Sequence, residues 1–369
     1  MPPISKPLLP SCFLTWTEPP DENGDERFRI VSWRRSFTLK GHSFREFSAT
    51  VLPLLNGQRT LEEIFEASRD TFEPEDLTAA LEMLAAQGIV VDGLPDAPGR
   101  LQPQLNYFSE VAPEGRASQQ RLADARVVVF GMGGAGAALT RSLGAAGVGT
   151  LVCADPYDVT EADVYFSGLF DPDDIGKNRS ERVVAGIERA APEVRATFLS
   201  ERLDDIAALR DAVDEADIVA CCLESGDLNR MLKVSRACRA GGIRLIAGAL
   251  EGPLVVAGPG IPAQHDGPCY MCYRMREVAC AGNPESRFGL ERKLDRTKHD
   301  LGARRENLVF GADLLAGFLG AEMINVLTGM SPPALDGRII ELDLTTLQQR
   351  KHVILRKPGC PVCSEREPG

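Results

Sequence analysis

Four cysteines stand in two C-x-x-C pairs, Cys269/Cys272 and Cys360/Cys363. Each pair is a short knuckle, flanked by Gly267-Pro268 and Pro358-Gly359. Two thiolates at that spacing take two corners of a zinc tetrahedron, and two knuckles close the shell with no open position. The chemistry expected is therefore structural: a zinc ion tying the C-terminal tail to the rest of its domain. A second constellation is Gly131-Met132-Gly133-Gly134-Ala135-Gly136, a G-x-G-x-x-G turn, with Asp155 further along. Glycines there let the backbone turn tightly beside a phosphate, the following helix start offers N–H groups, and the carboxylate accepts from a ribose. The same pattern also serves a turn that keeps its shape and holds no nucleotide.

These residues need elements to position them. The apolar run 127–130 leads straight into the glycine turn, a helical stretch follows over 137–146, and a second strand, 150–154, ends at Asp155. Further strands are expected at 196–199, 218–222 and 244–247, separated by helical stretches, which is the alternation of a doubly wound α/β sheet. Leu314, Leu315, Phe318, Leu319, Met323, Val326 and Leu327 form a helical stripe closed by Gly329, and 339–354 reads as a β-hairpin.

The N-terminal part has a different rhythm. Residues 28–40 read as two short strands and 43–55 as a helix with Pro53 near its end. Thr60-Leu61-Glu62-Glu63 is a capping box, and Pro74 suits the first turn of a third helix whose stripe is Leu77, Leu81 and Leu84. Residues 89–91 form a closing strand. This is a winged-helix-like α+β module over 1–92, followed by a Pro/Gly-containing linker, 93–118, and the α/β domain, 119–369.

The whole chain of 369 residues carries 41 Lys+Arg against 53 Asp+Glu, a net charge of −12. That balance disfavours a general nucleic-acid binder. No uninterrupted apolar run reaches 18 residues and no signal sequence opens the chain, so a cytoplasmic protein without a membrane span is expected. Cysteines in a reduced cytosol are ligands or buried thiols rather than disulfides.

From about Gln119 to Cys363 the chain resembles the ThiF/MoeB adenylyltransferase superfamily. The resemblance is carried by residues 127–136, the run Gly147-Val148-Gly149-Thr150-Leu151-Val152-Cys153-Ala154-Asp155, the two knuckles, and Ile324-Asn325-Val326-Leu327-Thr328-Gly329. It implies a Rossmann-like fold, ATP and Mg²⁺ as cofactors, structural zinc, and adenylation of a C-terminal carboxylate. It implies nucleotide contacts at Gly131, Gly133, Gly134, Gly136, Asp155, Lys177 and Arg179. The family's arginine, however, is matched here by Phe166, its asparagine by Asp163, its lysine by Arg179 and its metal-binding aspartate by Glu224. Electrostatic stabilisation dominates such transfers, so these departures point to a retained fold with a degenerate adenylation site.

Residues 28–92 resemble the peptide-recognition element of ribosomal peptide pathways. The two halves together resemble the ThiF-like leader-binding partner proteins of azol(in)e-forming pathways. That resemblance implies capture of a precursor's leader peptide as an added β-strand and its presentation to a YcaO-type cyclodehydratase. The groove would lie between the strands around Ile30 and Leu39 and the start of the third helix. A homodimer is also compatible with it. Two other activities remain in view: an active peptide adenylyltransferase of the microcin C or pantocin type, and sulfur-carrier activation, for which the N-terminal module would be superfluous. Cys280, in the Arg/Glu-rich segment 274–307, has no neighbouring activator in sequence and is expected on a surface loop.

Overall fold

The computed structural model describes residues 4–93, 99–111, 117–223, 227–264, 267–296 and 308–364. The chain divides into two compact units, Met1–Arg121 and Leu122–Gly369.

In the first unit the strands are β1 (Pro7–Leu8), β2 (Leu14–Glu18), β3 (Glu26–Val31), β4 (Ser36–Gly41) and β5 (Val91–Asp92). β2, β3 and β4 form an antiparallel meander, and β1 pairs with β5. Phe28 and Ile30 alternate inward and pack with Phe47, Ile64, Leu77 and Leu81 from three helices, Phe44–Thr50, Leu61–Ser68 and Pro74–Ala86. The capping box forms: Thr60 N donates to Glu63 Oε2 at 2.8 Å, and Glu63 N to Thr60 Oγ1 at 3.3 Å. The first helix stops at Thr50, short of the expected Leu55, and 52–54 tightens into a 3₁₀ turn. Pro53 is the reason, since it lacks an N–H and disfavours helical backbone in the residue before it. β2 was not expected from the sequence; its partial alternation, with Leu14 and Trp16 outward, gives the sheet a third strand.

The segment expected as a linker contains a helix, Gln102–Val111, that belongs to the first unit. Pro103 sits in its first turn, where a missing N–H costs nothing. Leu105 and Phe108 are fully buried. Glu110 Oε1 accepts from Ser32 Oγ at 2.9 Å and from Arg34 N at 2.6 Å, fixing the turn between β3 and β4.

The second unit holds an eight-stranded sheet of β6 (Arg126–Phe130), β7 (Thr150–Ala154), β8 (Arg195–Leu199), β9 (Ile218–Cys221), β10 (Arg244–Glu251), β11 (Leu254–Ile261), β12 (Arg338–Asp343) and β13 (Gln349–Val353). The order is β13-β12-β11-β10-β9-β6-β7-β8. The strands from β10 to β8 are parallel, and β11, β12 and β13 continue antiparallel. The expected doubly wound sheet is thus present, with an antiparallel extension. β10 runs past the expected Ala247 to Glu251 and turns at Gly252 into β11, a strand that Gly258-Pro259-Gly260 concealed in the sequence. The chain passes outward through β6, β7 and β8, then returns to place β9 on the other side of β6. The crevice at the carboxyl ends of β6 and β9 is therefore the switch point where such sheets bind ligands.

Val309–Thr328 is long and apolar enough by length and composition to cross a membrane, with mean hydropathy 1.4, although Asp313 and Glu322 interrupt its apolar run. Here it is a core helix: Ala312, Leu315, Leu319 and Met323 are buried, and its Glu322 is buried too, accepting from Ala334 N and Leu335 N at 3.0 and 2.8 Å. Leu314, expected in the buried stripe, is 39% exposed.

A fragment ending at Arg121 should unfold cooperatively in urea. One ending at Arg100 forfeits burial of Leu105 and Phe108, about 3–6 kcal/mol at 1.5–3 kcal/mol per side chain, and should show a clearly lower midpoint or none.

Candidate functional site

The glycine turn is built as its sequence demands. Gly131 has φ +89°, and a Cβ there would lie 2.6 Å from the Cys222 carbonyl oxygen. A Cβ on Gly136 would fall 1.7 Å from the Gly131 carbonyl oxygen, so no other residue fits that approach of helix to turn. Gly133 caps the helix Gly134–Ala145. Residues 131–140 are all buried.

Asp155 is 2% exposed. Its carboxylate faces the turn, but its Oδ2 accepts from Met132 N at 2.6 Å and its Oδ1 from Tyr157 N at 2.8 Å. Both oxygens are occupied by backbone, and they brace the glycine turn.

Phe166 lies on the helix Glu161–Ser167 and is 8% exposed. Its ring edge meets the first residue of the glycine-turn helix: a Cβ on Gly134 would stand 3.1 Å from Phe166 Cδ1 and 3.1 Å from Ala312 Cβ. An apolar ring at a helix start occupies the surroundings that an anion would otherwise take.

Arg179 opens the helix Arg179–Ala190, which Asn178 caps by accepting from Ser180 N and Glu181 N. Its guanidinium donates to Asp163 Oδ2 through Nη2 at 2.8 Å and Nε at 3.1 Å, and its Nη1 lies 3.9 Å from Asp155 Oδ2. Asp163 is itself part of a capping box, its Oδ2 accepting from Thr160 N at 2.8 Å and Thr160 Oγ1 at 2.7 Å. Arg179 and Asp163 are 4% and 0% exposed. Asp163 and Arg179, singled out separately in the sequence, therefore meet as one buried ion pair. Lys177, half-exposed, sits 3.7 Å from Asp174, and Arg182 Nε lies 2.8 Å from the same carboxylate. Each of these three cations is paired to a carboxylate of 155–174. Glu224 lies outside the described residues.

Beside this pair Arg202 Nη1 donates to the Tyr157 hydroxyl at 3.1 Å, and that hydroxyl donates to Asp227 at 3.3 Å. Burial first, and then the Asp227 charge, raises the Tyr157 hydroxyl above its usual range. The sequence reading missed this network; no motif marks it.

The four cysteines meet. Their sulfurs all lie within 4.8 Å of one another, with Cys269–Cys360 at 3.7 Å, Cys272–Cys363 at 3.3 Å and Cys269–Cys272 at 3.9 Å. Zinc thiolate bonds of about 2.3 Å in a tetrahedron put sulfurs about 3.8 Å apart, so the donor set fits such an ion. All four are buried. Lys357 N donates to Cys272 Sγ at 3.3 Å, the kind of outer hydrogen bond that steadies a ligating thiolate. Burial and the neighbouring thiols raise Cys269 and Cys363, whereas at Cys360 burial is outweighed by the Val362 and Cys363 N–H groups and the neighbouring thiols, which lower it. At Cys153, Cys222 and Cys238 burial dominates and pushes each up to about 12. Those are core thiols. Cys280 is exposed as expected, but it ends the helix Tyr270–Cys280 rather than lying on a loop, and Pro284–Arg296 forms a second helix in the segment read as a loop.

The model of the ThiF family matches residues 101–362. The chain belongs to the ThiF family. It is 29% identical over 273 residues to the molybdopterin-synthase adenylyltransferase of Escherichia coli, covering 72% of this chain and 98% of that one. It is 30% identical to the sulfur carrier protein ThiS adenylyltransferase of the same organism over 69% and 91% of the two chains. Among solved structures, the microcin C7 biosynthetic enzyme MccB in complex with N-formylated MccA matches with TM-score 0.66 at 16% identity, over 97% of this chain and 99% of that one. PaaA matches with TM-score 0.64 at 19% identity, over 93% and 99%. The family match covers the α/β unit, and the likeness in fold to these solved structures extends over both units.

Purified chain should carry about one zinc when assayed by elemental analysis, and Cys360→Ser should lower both metal content and melting temperature. Arg179→Ala leaves the Asp163 charge buried and unpaired and should cost about 3–5 kcal/mol in urea denaturation, with Arg179→Lys milder.

Proposed function

We propose that this ThiF-family protein is a non-adenylating partner subunit. It binds the leader of a ribosomally made precursor through its first unit and presents the core peptide to a YcaO-type cyclodehydratase for azoline formation. The observation that carries the reading is the state of the glycine turn. The turn is buried, Phe166 lies against its helix start, and Arg179 is spent on Asp163 and Asp155. Charge stabilisation at the phosphates is the largest contribution such a site makes to adenylation, and every cation placed at 177–182 is neutralised locally. The first unit supports the binding half of the reading, since among the described residues β4 pairs only with β3 and leaves one backbone edge to add a strand. A cytoplasmic location agrees with this role.

A second reading, an ATP-dependent adenylyltransferase acting on a peptide carboxylate, draws support from the full-length fold shared with MccB. One assay separates the two. ATP–pyrophosphate exchange by the purified chain with its precursor should stay at the level without protein. Adding the chain to the YcaO-type enzyme should accelerate loss of water from the precursor. Exchange well above background would establish the second reading instead.

A further inference from the structure

The β3–β4 hairpin carries a charge pattern that neither the fold nor the glycine turn explains. Between residues 27 and 45 stand Arg27, Arg29, Arg34, Arg35, Lys40 and Arg45, with no Asp or Glu, in a chain of net charge −12. Some of these are used internally: Arg29 pairs with Glu18, Lys40 with Asp21 and Asp25, and Arg45 with Glu26. Arg35 is structural, lying over the Phe13 ring and donating to the Gln87, Gly88 and Ser109 carbonyls. Arg27 and Arg34 are exposed and form no ion pair among the described residues.

The turn at 32–35 is held rigidly, by Ser32 N donating to the Arg35 carbonyl at 2.8 Å, by Glu110, and by the Arg35 contacts. On this fixed turn Trp33 is 98% exposed. A rigid, exposed tryptophan loses apolar contact for no internal gain, and such side chains anchor interfaces. It lies three residues before Ser36, where the free edge of β4 begins. Along β4, Phe37 and Leu39 lie on the core side, while Ser36, Thr38 and Lys40 face outward; Arg27 pairs across from Lys40 on that outward face.

We infer that the segment captured on β4 is an extended acidic peptide, with apolar residues alternating against Phe37 and Leu39, carboxylates toward Arg27 and Arg34, and a large apolar side chain at Trp33. This rests on the reading of the first unit as a peptide-capturing module and names the chemistry it selects. Main-chain pairing gives affinity to any strand; the surplus of positive charge chooses an acidic one.

The test uses the full chain and four synthetic probes read by fluorescence polarisation, with Trp33 emission as a second signal. They are a peptide alternating Glu with Val and Phe, its Lys-for-Glu and Gln-for-Glu counterparts, and the acidic peptide N-methylated at alternate residues. The acidic peptide should bind at least about tenfold more tightly than the other three, weaken with added salt, and blue-shift the tryptophan emission. Trp33→Ala and the double variant Arg27→Glu/Arg34→Glu, both at exposed positions and checked for unchanged circular dichroism, should each weaken it about tenfold. Equal binding of the Gln or Lys peptide, still abolished by N-methylation, would overturn the acidic preference and leave strand capture standing. Binding insensitive to N-methylation, or no binding by any probe, would overturn strand capture as well. Tighter binding of polyuridine RNA than of the acidic peptide would reassign the hairpin to nucleic acid.

Discussion

Arg179 and Asp163 form a buried ion pair around which the surroundings of the glycine turn are organised. A guanidinium at 4% exposure needs carboxylate partners, because an unpaired charge there costs several kcal/mol. Asp163 supplies one and is itself held by Thr160; Asp155 supplies the other and is held by the glycine turn. Three helix starts and one strand end are thereby locked together. The same geometry commits the Arg179 guanidinium to these two carboxylates.

The glycine turn illustrates how shape and chemistry separate. Gly131 and Gly136 are required because backbone atoms fill the space a Cβ would need. That steric demand persists whether or not a nucleotide ever binds. A family can therefore keep its glycines while exchanging the charged residues around them, and a glycine motif reports the fold far better than it reports the ligand.

The thiolate cluster works by a different principle. Cys269 is the N-cap residue of the helix Tyr270–Cys280 and Cys272 lies in its first turn, while Cys360 and Cys363 lie in the tail beyond β13. Gathering four thiols within 4.8 Å in a buried site is unfavourable without a cation to share, since each ionised sulfur raises the cost of the next. A metal there closes a loop spanning the antiparallel extension of the sheet.

The sequence by itself determined the parallel strands, the glycine turn, the paired spacing of the four cysteines, the Thr60 cap and the helix begun by Pro74. All of these depend on local periodicity, on glycine and proline backbone limits, or on fixed ligand spacing. Tertiary structure alone decided what local patterns do not encode. β2 joins the meander because β3 offers it a pairing edge. Gln102–Val111 leaves the expected linker because Leu105 and Phe108 find a core to enter. β11 forms despite Gly258-Pro259-Gly260 because β10 and β12 flank it. The sequence also showed Asp163 and Arg179 as two separate departures from a family pattern. Only the fold, by bringing positions 16 residues apart to 2.8 Å, made them a single exchange.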